Sequence, residues 1–188
     1  TFGVPSADDK VGECGWNDSF APDAACMKTP TVCDEPGSGC FTHPQVCVDF
    51  CDAKAYCKHI GRHLCAGPDG QAVDPSAIWS LDVWWRVCSA GGTLFYGEVV
   101  KPYCNTLSTG LDGTGPVASF PDCHSPVPGL ESVYDMGGNV SEWVASACEV
   151  DVLGKMSCLV RGSNFATISD AQSCTLYKIE PITKASPT

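Results

Sequence analysis

The stretch that decides the fold is Tyr134-Asp135-Met136-Gly137-Gly138-Asn139-Val140-Ser141-Glu142-Trp143. Its two carboxylates enclose two glycines, which allow positive φ angles and let backbone carbonyls turn inward. Calcium takes about six to eight oxygens from carboxylates and carbonyls. The loop therefore offers the chemistry of a calcium site, and the open alternative is that both carboxylates cap turns by accepting backbone N–H groups.

The cysteine content indicates in which redox compartment the protein is found. The 188 residues include 14 cysteines, an even number, and the tightest spacing is Cys47, Cys51 and Cys57, with no C-x-x-C pair. This pattern favours disulfides in an oxidising compartment over a metal cluster. We expect a secreted, periplasmic or cell-surface protein. We interpret the start at Thr1, which has no basic and apolar leader, as the result of processing.

Charge and hydropathy exclude several partner classes. The formal net charge of −11 argues against nucleic acid and against an anionic membrane surface. No apolar run approaches the roughly 20 residues of a membrane span, while 44% apolar residues suffice for a buried core.

His59 and His63 have the spacing of two ligands on a helix, but Gly61 should end that helix between them. We therefore predict surface or packing histidines.

The chain divides by composition into two parts. Residues 1–46 are rich in Pro, Gly, Asp and Cys and form a cysteine-rich N-terminal arm, and residues 47–188 form the main domain. The arm has too few apolar residues to fold alone. We expect its four cysteines to staple it internally or onto the main domain: Cys14, Cys26, Cys33 and Cys40.

The main domain shows an α+β pattern. Residues 52–60 form a predicted helix that Gly61 ends, with one face carrying Ala53, Tyr56, Cys57 and Ile60. A second predicted helix begins at Asp74 and Pro75 and presents Ile78, Leu81, Trp85 and Cys88 before Gly91 stops it. Four short strand candidates follow between turns, at 93–96, 117–120, 143–147 and 158–161.

Six motifs occur in the order and spacing of a known family. They lie at 53–65, 78–92, 95–97, 112–121, 134–143 and 160–165. Residues 134–143 resemble the "D-M-x-G-N-V-x-E-W" signature of the formylglycine-generating enzyme, or sulfatase-modifying factor, family, and Val160-Arg161-Gly162-Ser163-Asn164-Phe165 resembles its "V-x-R-G-G-S-W". The resemblance implies a C-type-lectin-like α+β fold with two helices, a short irregular antiparallel sheet, long loops and many disulfides. The alternative is an unrelated disulfide-rich domain with a chance G-N-V-x-E-W.

The resemblance also implies structural calcium. One family site maps to the side-chain carboxylates of Asp135 and Glu142. Its other ligands are the backbone carbonyls of Gly138 and Val140. A second site maps to a further four residues, Asn105, Thr106, Asp112 and Thr114, through the Thr106 and Thr114 carbonyls. Both ions would tie down loops that have little core beneath them.

The same resemblance argues against catalysis. The family's oxidase binds Cu(I), a soft metal that needs thiolates, through two cysteines shortly after "R-G-G-S-[WY]". Those positions are Thr167 and Gln172 here. We expect nearby Cys174 to be in a disulfide. Relatives close with "G-F-R-C" on the last strand, and here that strand is divergent, absent or cut off.

We therefore expect a secreted, non-catalytic, calcium-stabilised binding or structural module. It would be an accessory subunit of an extracytoplasmic protein assembly, with carbohydrate as a second class of ligand, or a structural surface protein. The alternative is a copper-dependent oxidase that converts a peptide cysteine to formylglycine. We expect two free cysteines in an oxidase and none in a binding or structural module. Three disulfides are hypotheses from the sequence: Cys65–Cys88, Cys104–Cys123 and Cys148–Cys158.

Overall fold

The computed structural model describes residues 12–28, 40–73, 82–90, 104–168, 174 and 176–183. These contain two helices and four strands: α1 (Phe50–His59), α2 (Val83–Ser89), β1 (Glu142–Trp143), β2 (Glu149–Val150), β3 (Met156–Arg161) and β4 (Tyr177–Pro181). Short 3-10 turns lie at Gly12–Cys14, Cys26–Lys28, Cys40–Thr42 and Leu107–Thr109. Neither described helix has the length and apolar character needed to cross a membrane. The predicted α+β class, helices first and a small antiparallel sheet after, is confirmed.

The sheet is built around β3. On one edge, β1 pairs with the end of β3 and β2 with its beginning, both antiparallel. On the other edge, β4 runs antiparallel along β3 from Ser157 to Arg161. A strand is therefore present at 177–181, and its sequence does not contain the G-F-R-C of the relatives.

Helix α1 begins two residues before its predicted start. Asp49 and Asp52 form a reciprocal capping box, in which each side chain accepts from the other residue's backbone N–H at 2.9–3.0 Å. This arrangement satisfies two N–H groups that a helix start leaves without partners. The N-terminal boundary is thus set at Phe50 by a local hydrogen-bond pattern.

The buried face of α1 differs from the predicted one. Phe50, Cys51 and Ala55 are buried, whereas Tyr56 and Ile60 are each half exposed. The prediction of an inward face through Tyr56 and Ile60 is wrong, because the helix turns its first-turn residues toward the apolar cluster around Phe50. The predicted C-terminus is confirmed within a residue, since Gly61 follows the helix at φ +71°.

Helix α2 is capped by Asp82, whose Oδ1 accepts from Trp84 N at 2.8 Å. Its predicted start at 74–75 lies outside the described residues. Trp84 and Cys88 are fully buried in a cluster with Leu159. The helix therefore serves to place a tryptophan and a half-cystine under the signature loop.

Five disulfides join the described residues: Cys14–Cys51, Cys26–Cys47, Cys88–Cys174, Cys104–Cys123 and Cys148–Cys158. The last two were predicted and are confirmed, as is the disulfide of Cys174. The predicted Cys65–Cys88 bridge is wrong, because Cys88 bonds Cys174 across 86 residues of sequence. The first two attach the arm to the first turn of α1 and to the segment just before the helix. Cys33 lies outside the described residues.

The strand predictions had mixed outcomes. Residues 158–161 belong to β3, and the 143–147 candidate contributes Trp143 to β1 before it leaves the ladder. The 117–120 strand is wrong, because Ala118 adopts φ 59° in a turn and Val117 is half exposed. The candidate at 93–96 lies outside the described residues.

Candidate metal centre

The signature loop is clamped onto the backbone of Asn105. Gly138 has φ 72°, and a Cβ there would lie 2.4 Å from the Asn105 carbonyl oxygen, so only glycine fits without a shift. Asn139 N donates to that same oxygen at 2.7 Å. The Asn139 amide also bonds both backbone groups of Gly115, at 2.8 and 3.1 Å. The glycine and asparagine of the motif thus fix the position of the loop.

Asp135 carries a buried oxygen without a partner. The residue is buried at φ 59°, and its Oδ2 accepts from Ala118 N at 2.8 Å. Its Oδ1 is buried and has no hydrogen bond in the described part of the chain. Burial raises the pKa of this carboxyl. An unpartnered buried carboxylate oxygen is costly, and a bound cation would compensate that cost.

Glu142 lies close enough to Asp135 for the two charges to interact. Its Oε2 accepts a short hydrogen bond from Trp84 Nε1, which helix α2 holds in place. Burial raises the pKa of Glu142 to about 7, the tryptophan bond opposes that change, and the Asp135 charge adds to it. The environment thus disfavours two negative charges unless a positive ion accompanies them.

The other two predicted ligands are available. Within the described residues, no hydrogen bond reaches the carbonyl of Gly138 or Val140. No third acidic, cysteine or histidine side chain joins the two carboxylates in those residues as a metal-binding group. Carbonyls and water would complete the coordination, which is the ligand mixture that calcium accepts. The donors of this first set therefore fit calcium.

The second predicted set fits less well. Asn105 Oδ1 accepts from Thr109 Oγ1 at 3.1 Å, and the Thr106 carbonyl accepts from Thr109 N and Oγ1 at 2.9 and 2.7 Å. The Asp112 side chain is exposed, and the Thr114 hydroxyl bonds His43 Nδ1 at 3.0 Å. Two of its four predicted ligand oxygens, Asn105 Oδ1 and the Thr106 carbonyl, already accept hydrogen bonds from Thr109. Calcium at this set stays a prediction.

The position expected for the first copper-binding cysteine holds a structural threonine. Thr167 Oγ1 accepts from Asn164 N at 3.0 Å and donates to Asn164 Oδ1 at 3.1 Å. Its carbonyl accepts from Leu107 N at 3.0 Å. Gln172, the second position, lies outside the described residues.

Two unpaired cysteines were missed by the sequence reasoning. Cys57 is half-buried near the end of α1, and Cys65 follows the next turn. Burial raises the pKa of the Cys57 thiol. Crowding around the sulfur, with the charges of Glu142 and Asp82, raises the pKa of Cys65 to about 12, although the residue as a whole is exposed. Because the number of cysteines is even, the sequence alone is compatible with every cysteine being paired.

Comparison with known proteins identifies the relatives of this fold. Residues 12–187 match the sulfatase-modifying factor enzyme 1-like domain family. The formylglycine-generating enzyme of Mycobacterium tuberculosis (strain ATCC 25618 / H37Rv) is 30% identical over 124 residues, which cover 65% of this chain and 40% of that protein. The chain thus spans well under half the length of this relative.

Two solved structures share the fold. The crystal structure of CarF superposes with a TM-score of 0.59 at 19% identity, covering 85% of this chain and 70% of that one. The structure of PvdO from Pseudomonas aeruginosa gives 0.50 at 21% identity, covering 77% and 58%. At these identities the likeness concerns the fold alone.

Proposed function

Since this chain belongs to the sulfatase-modifying factor enzyme 1-like family, we propose that it uses the family scaffold as a non-catalytic, calcium-stabilised module of an extracytoplasmic protein assembly. The observation that carries the proposal is Thr167, which stands where the copper-binding pattern requires a cysteine. Its hydroxyl and carbonyl are engaged in fixing the local loop. Because the hydroxyl and the carbonyl of Thr167 both hold the local loop, we assign this segment a structural role.

Calcium is supported by the first ligand set. Asp135 Oδ1 lacks a partner within the described residues, and Glu142 lies near it with a raised pKa. A divalent cation would restore favourable electrostatics to both carboxylates and would hold the loop against Asn105. The five disulfides indicate an oxidising compartment, in which free calcium is commonly available to secreted modules.

The oxidase alternative has one observation in its favour, the two unpaired thiols. Cys57 lies near the end of α1 and Cys65 in the segment after it, and neither lies in the 167–172 segment. Incubation with a cysteine-containing peptide, Cu(I) and O2, followed by mass spectrometry, decides between the two functions. We expect the peptide cysteine to stay unchanged. Formylglycine in the product would overturn the non-catalytic proposal.

Calcium should raise the thermal stability of the chain. At a free concentration about 100 times Kd, binding to the native state alone adds about 2.7 kcal/mol. Calorimetry with calcium and with a chelator measures the change in melting temperature. Asp135→Asn and Glu142→Gln should abolish the increase, while Asp112→Asn should keep it. Loss of the increase in Asp112→Asn alone would instead favour the second ligand set.

The stability of the calcium-free chain should fall as pH rises. Burial raises the pKa of Glu142 from 4.5 to about 7. Between these values the folded state binds a proton that the unfolded state has released, so folding is favoured at the lower pH. The loss on going from about pH 4.5 to pH 7 should reach about 3 kcal/mol.

Urea unfolding in chelator across that range tests this dependence. Glu142→Gln should flatten most of it, while a residual slope should remain because burial also raises the pKa of Asp49 to about 6. Calcium should cancel the loss above pH 7, since the ion stabilises the ionised carboxylate. An unchanged slope in Glu142→Gln would contradict the assignment to this group.

A protein partner is supported by the β2–β3 hairpin. Val152 and Leu153 at its tip are 101% and 88% exposed. Asp151 Oδ1 accepts from Leu153 N and Lys155 N at 2.8 and 2.9 Å, and Cys148–Cys158 closes the base of the hairpin. Two exposed apolar side chains on a hydrogen-bonded turn suit an apolar pocket of a partner. A net charge of −11 favours a basic rim around that pocket.

Replacing both tip residues by serine should release the chain from its assembly. Size-exclusion chromatography of extracts from the source organism should show the wild-type chain in a larger complex and the Val152→Ser/Leu153→Ser variant at the monomer position. Val117→Ser, also at an exposed apolar residue, serves as the control and should stay in the complex. A monomeric wild-type chain, or a tip variant that still elutes in the complex, would contradict this surface.

A further inference from the structure

The end of α1 and the segment after it hold two cysteines on either side of a chain reversal. Gly61, at φ +71°, turns the chain, and Arg62 N donates back to the Cys57 carbonyl at 2.7 Å. This bond brings residue 62 beside the last turn of the helix. Cys65 lies only three residues further along.

Both sides of the reversal are anchored to the same apolar cluster. Cys57 packs against this cluster around Phe50, and Leu64 is buried in it. The Cys65 carbonyl accepts from Ala145 N at 2.7 Å, which fixes its backbone beside the end of β1. Cys65 directly follows Leu64, so both cysteines border this one cluster. The pair is thus placed by rigid elements.

We propose that Cys57 and Cys65 form a dithiol that a disulfide-type oxidant can close into a further disulfide. One cysteine, as thiolate, attacks one sulfur of the oxidant, breaks its S–S bond and releases one thiol. The second cysteine then attacks the mixed disulfide and releases the other half as a thiol. Two electrons and two protons pass from the dithiol to the oxidant, so the exchange balances.

A groove gives the oxidant access to Cys57. This groove, of about 580 Å³, is largely apolar and is lined by Phe20, Pro22, Tyr56 and Cys57 among others. A small molecule bearing a disulfide can therefore approach Cys57 from one side while Cys65 lies on the other side of the reversal. Cys57 is accordingly the first attacking group, and Cys65 resolves the mixed disulfide.

Trypsin provides a clean assay for the new bond. Lys58 and Arg62 lie between the two cysteines, so digestion places them on separate peptides, 55–58 and 63–86, neither of which contains another cysteine. The native chain is incubated with glutathione disulfide at mildly alkaline pH, blocked with iodoacetamide in denaturant and digested without reduction. We expect the linked pair 55–58/63–86 as the main product, with a loss of about 2 Da in the intact mass for two hydrogens. A linked pair already present in the purified chain would also support the proposal.

Single variants complete the test. Cys65→Ser should stop at one stable glutathione adduct on Cys57, whereas Cys57→Ser should gain little glutathione because it lacks the first attacking group. Glutathione retained on both cysteines of the wild-type chain, alkylation of both, or a disulfide-linked dimer would each overturn the proposal. These outcomes are independent of the calcium and assembly proposals, because only the bond between the two sulfurs is scored.

Discussion

Replacing Arg161 by methionine should lower the free energy of unfolding by about 3–5 kcal/mol, because the Asp82 carboxylate is then left buried without its cation. Both side chains are fully buried, and Arg161 bonds Asp82 Oδ2 through Nη2 at 2.5 Å and Nε at 2.8 Å. The pair joins β3 to the cap of α2 and so fixes Trp84 beneath Glu142. Urea unfolding with a constant m-value measures the loss.

The double variant Arg161→Met/Asp82→Asn identifies the cause. Asparagine keeps the helix cap on Trp84 N and removes the orphaned charge, so much of the loss should be recovered. Lys54→Met, at the exposed end of the Lys54–Glu13 pair, is the matched surface control and should cost about 1 kcal/mol or less. Equal losses in the single and double variants would show that packing, and not the unpaired charge, dominates.

Removing the Cys88–Cys174 disulfide should destabilise the chain by about 4–5 kcal/mol. This bond spans 86 residues of sequence, and a long closed loop restricts the unfolded chain strongly. Cys148–Cys158 spans only 10 residues, so its removal should cost about 3 kcal/mol. Double alanine variants of each pair, unfolded in guanidinium chloride, give the two values.

The comparison between the two disulfides is the informative quantity. Alanine leaves small cavities at the buried half-cystines, and both pairs share this cost in part. A larger loss for Cys148–Cys158 than for Cys88–Cys174 would contradict the chain-entropy explanation. It would indicate that the hairpin base depends on its disulfide for local packing.

The signature loop could be predicted because the backbone conformation at its own positions restricts which residue types fit there. Gly138 must be glycine since any Cβ would meet the Asn105 carbonyl, and Asn139 adopts φ 58° while its amide bonds Gly115. Backbone demands of this kind restrict residue type strongly. The family motif therefore specified the fold correctly, which its relatives with known structures confirm.

Other features depend on distant contacts that sequence does not display. Cys88 bonds Cys174 and not Cys65, although Cys65 is nearer in sequence. The pairing of many cysteines cannot be deduced from their spacing. In the second ligand set, Thr109 bonds Asn105 Oδ1 and the Thr106 carbonyl, two of the four predicted oxygens. In both cases the deciding partner is a side chain whose position only the folded chain reveals.

The two disulfides of the arm are nested, with Cys26–Cys47 lying inside the loop that Cys14–Cys51 closes. A protease that cuts once between Cys26 and Cys47 would therefore leave the N-terminal fragment joined by both disulfides to the fragment that contains α1. Cleavage after Lys28 would be visible only on a reducing gel, because the nicked chain would keep its mass under non-reducing conditions. After such a cut, the arm would thus stay covalently attached to the main domain.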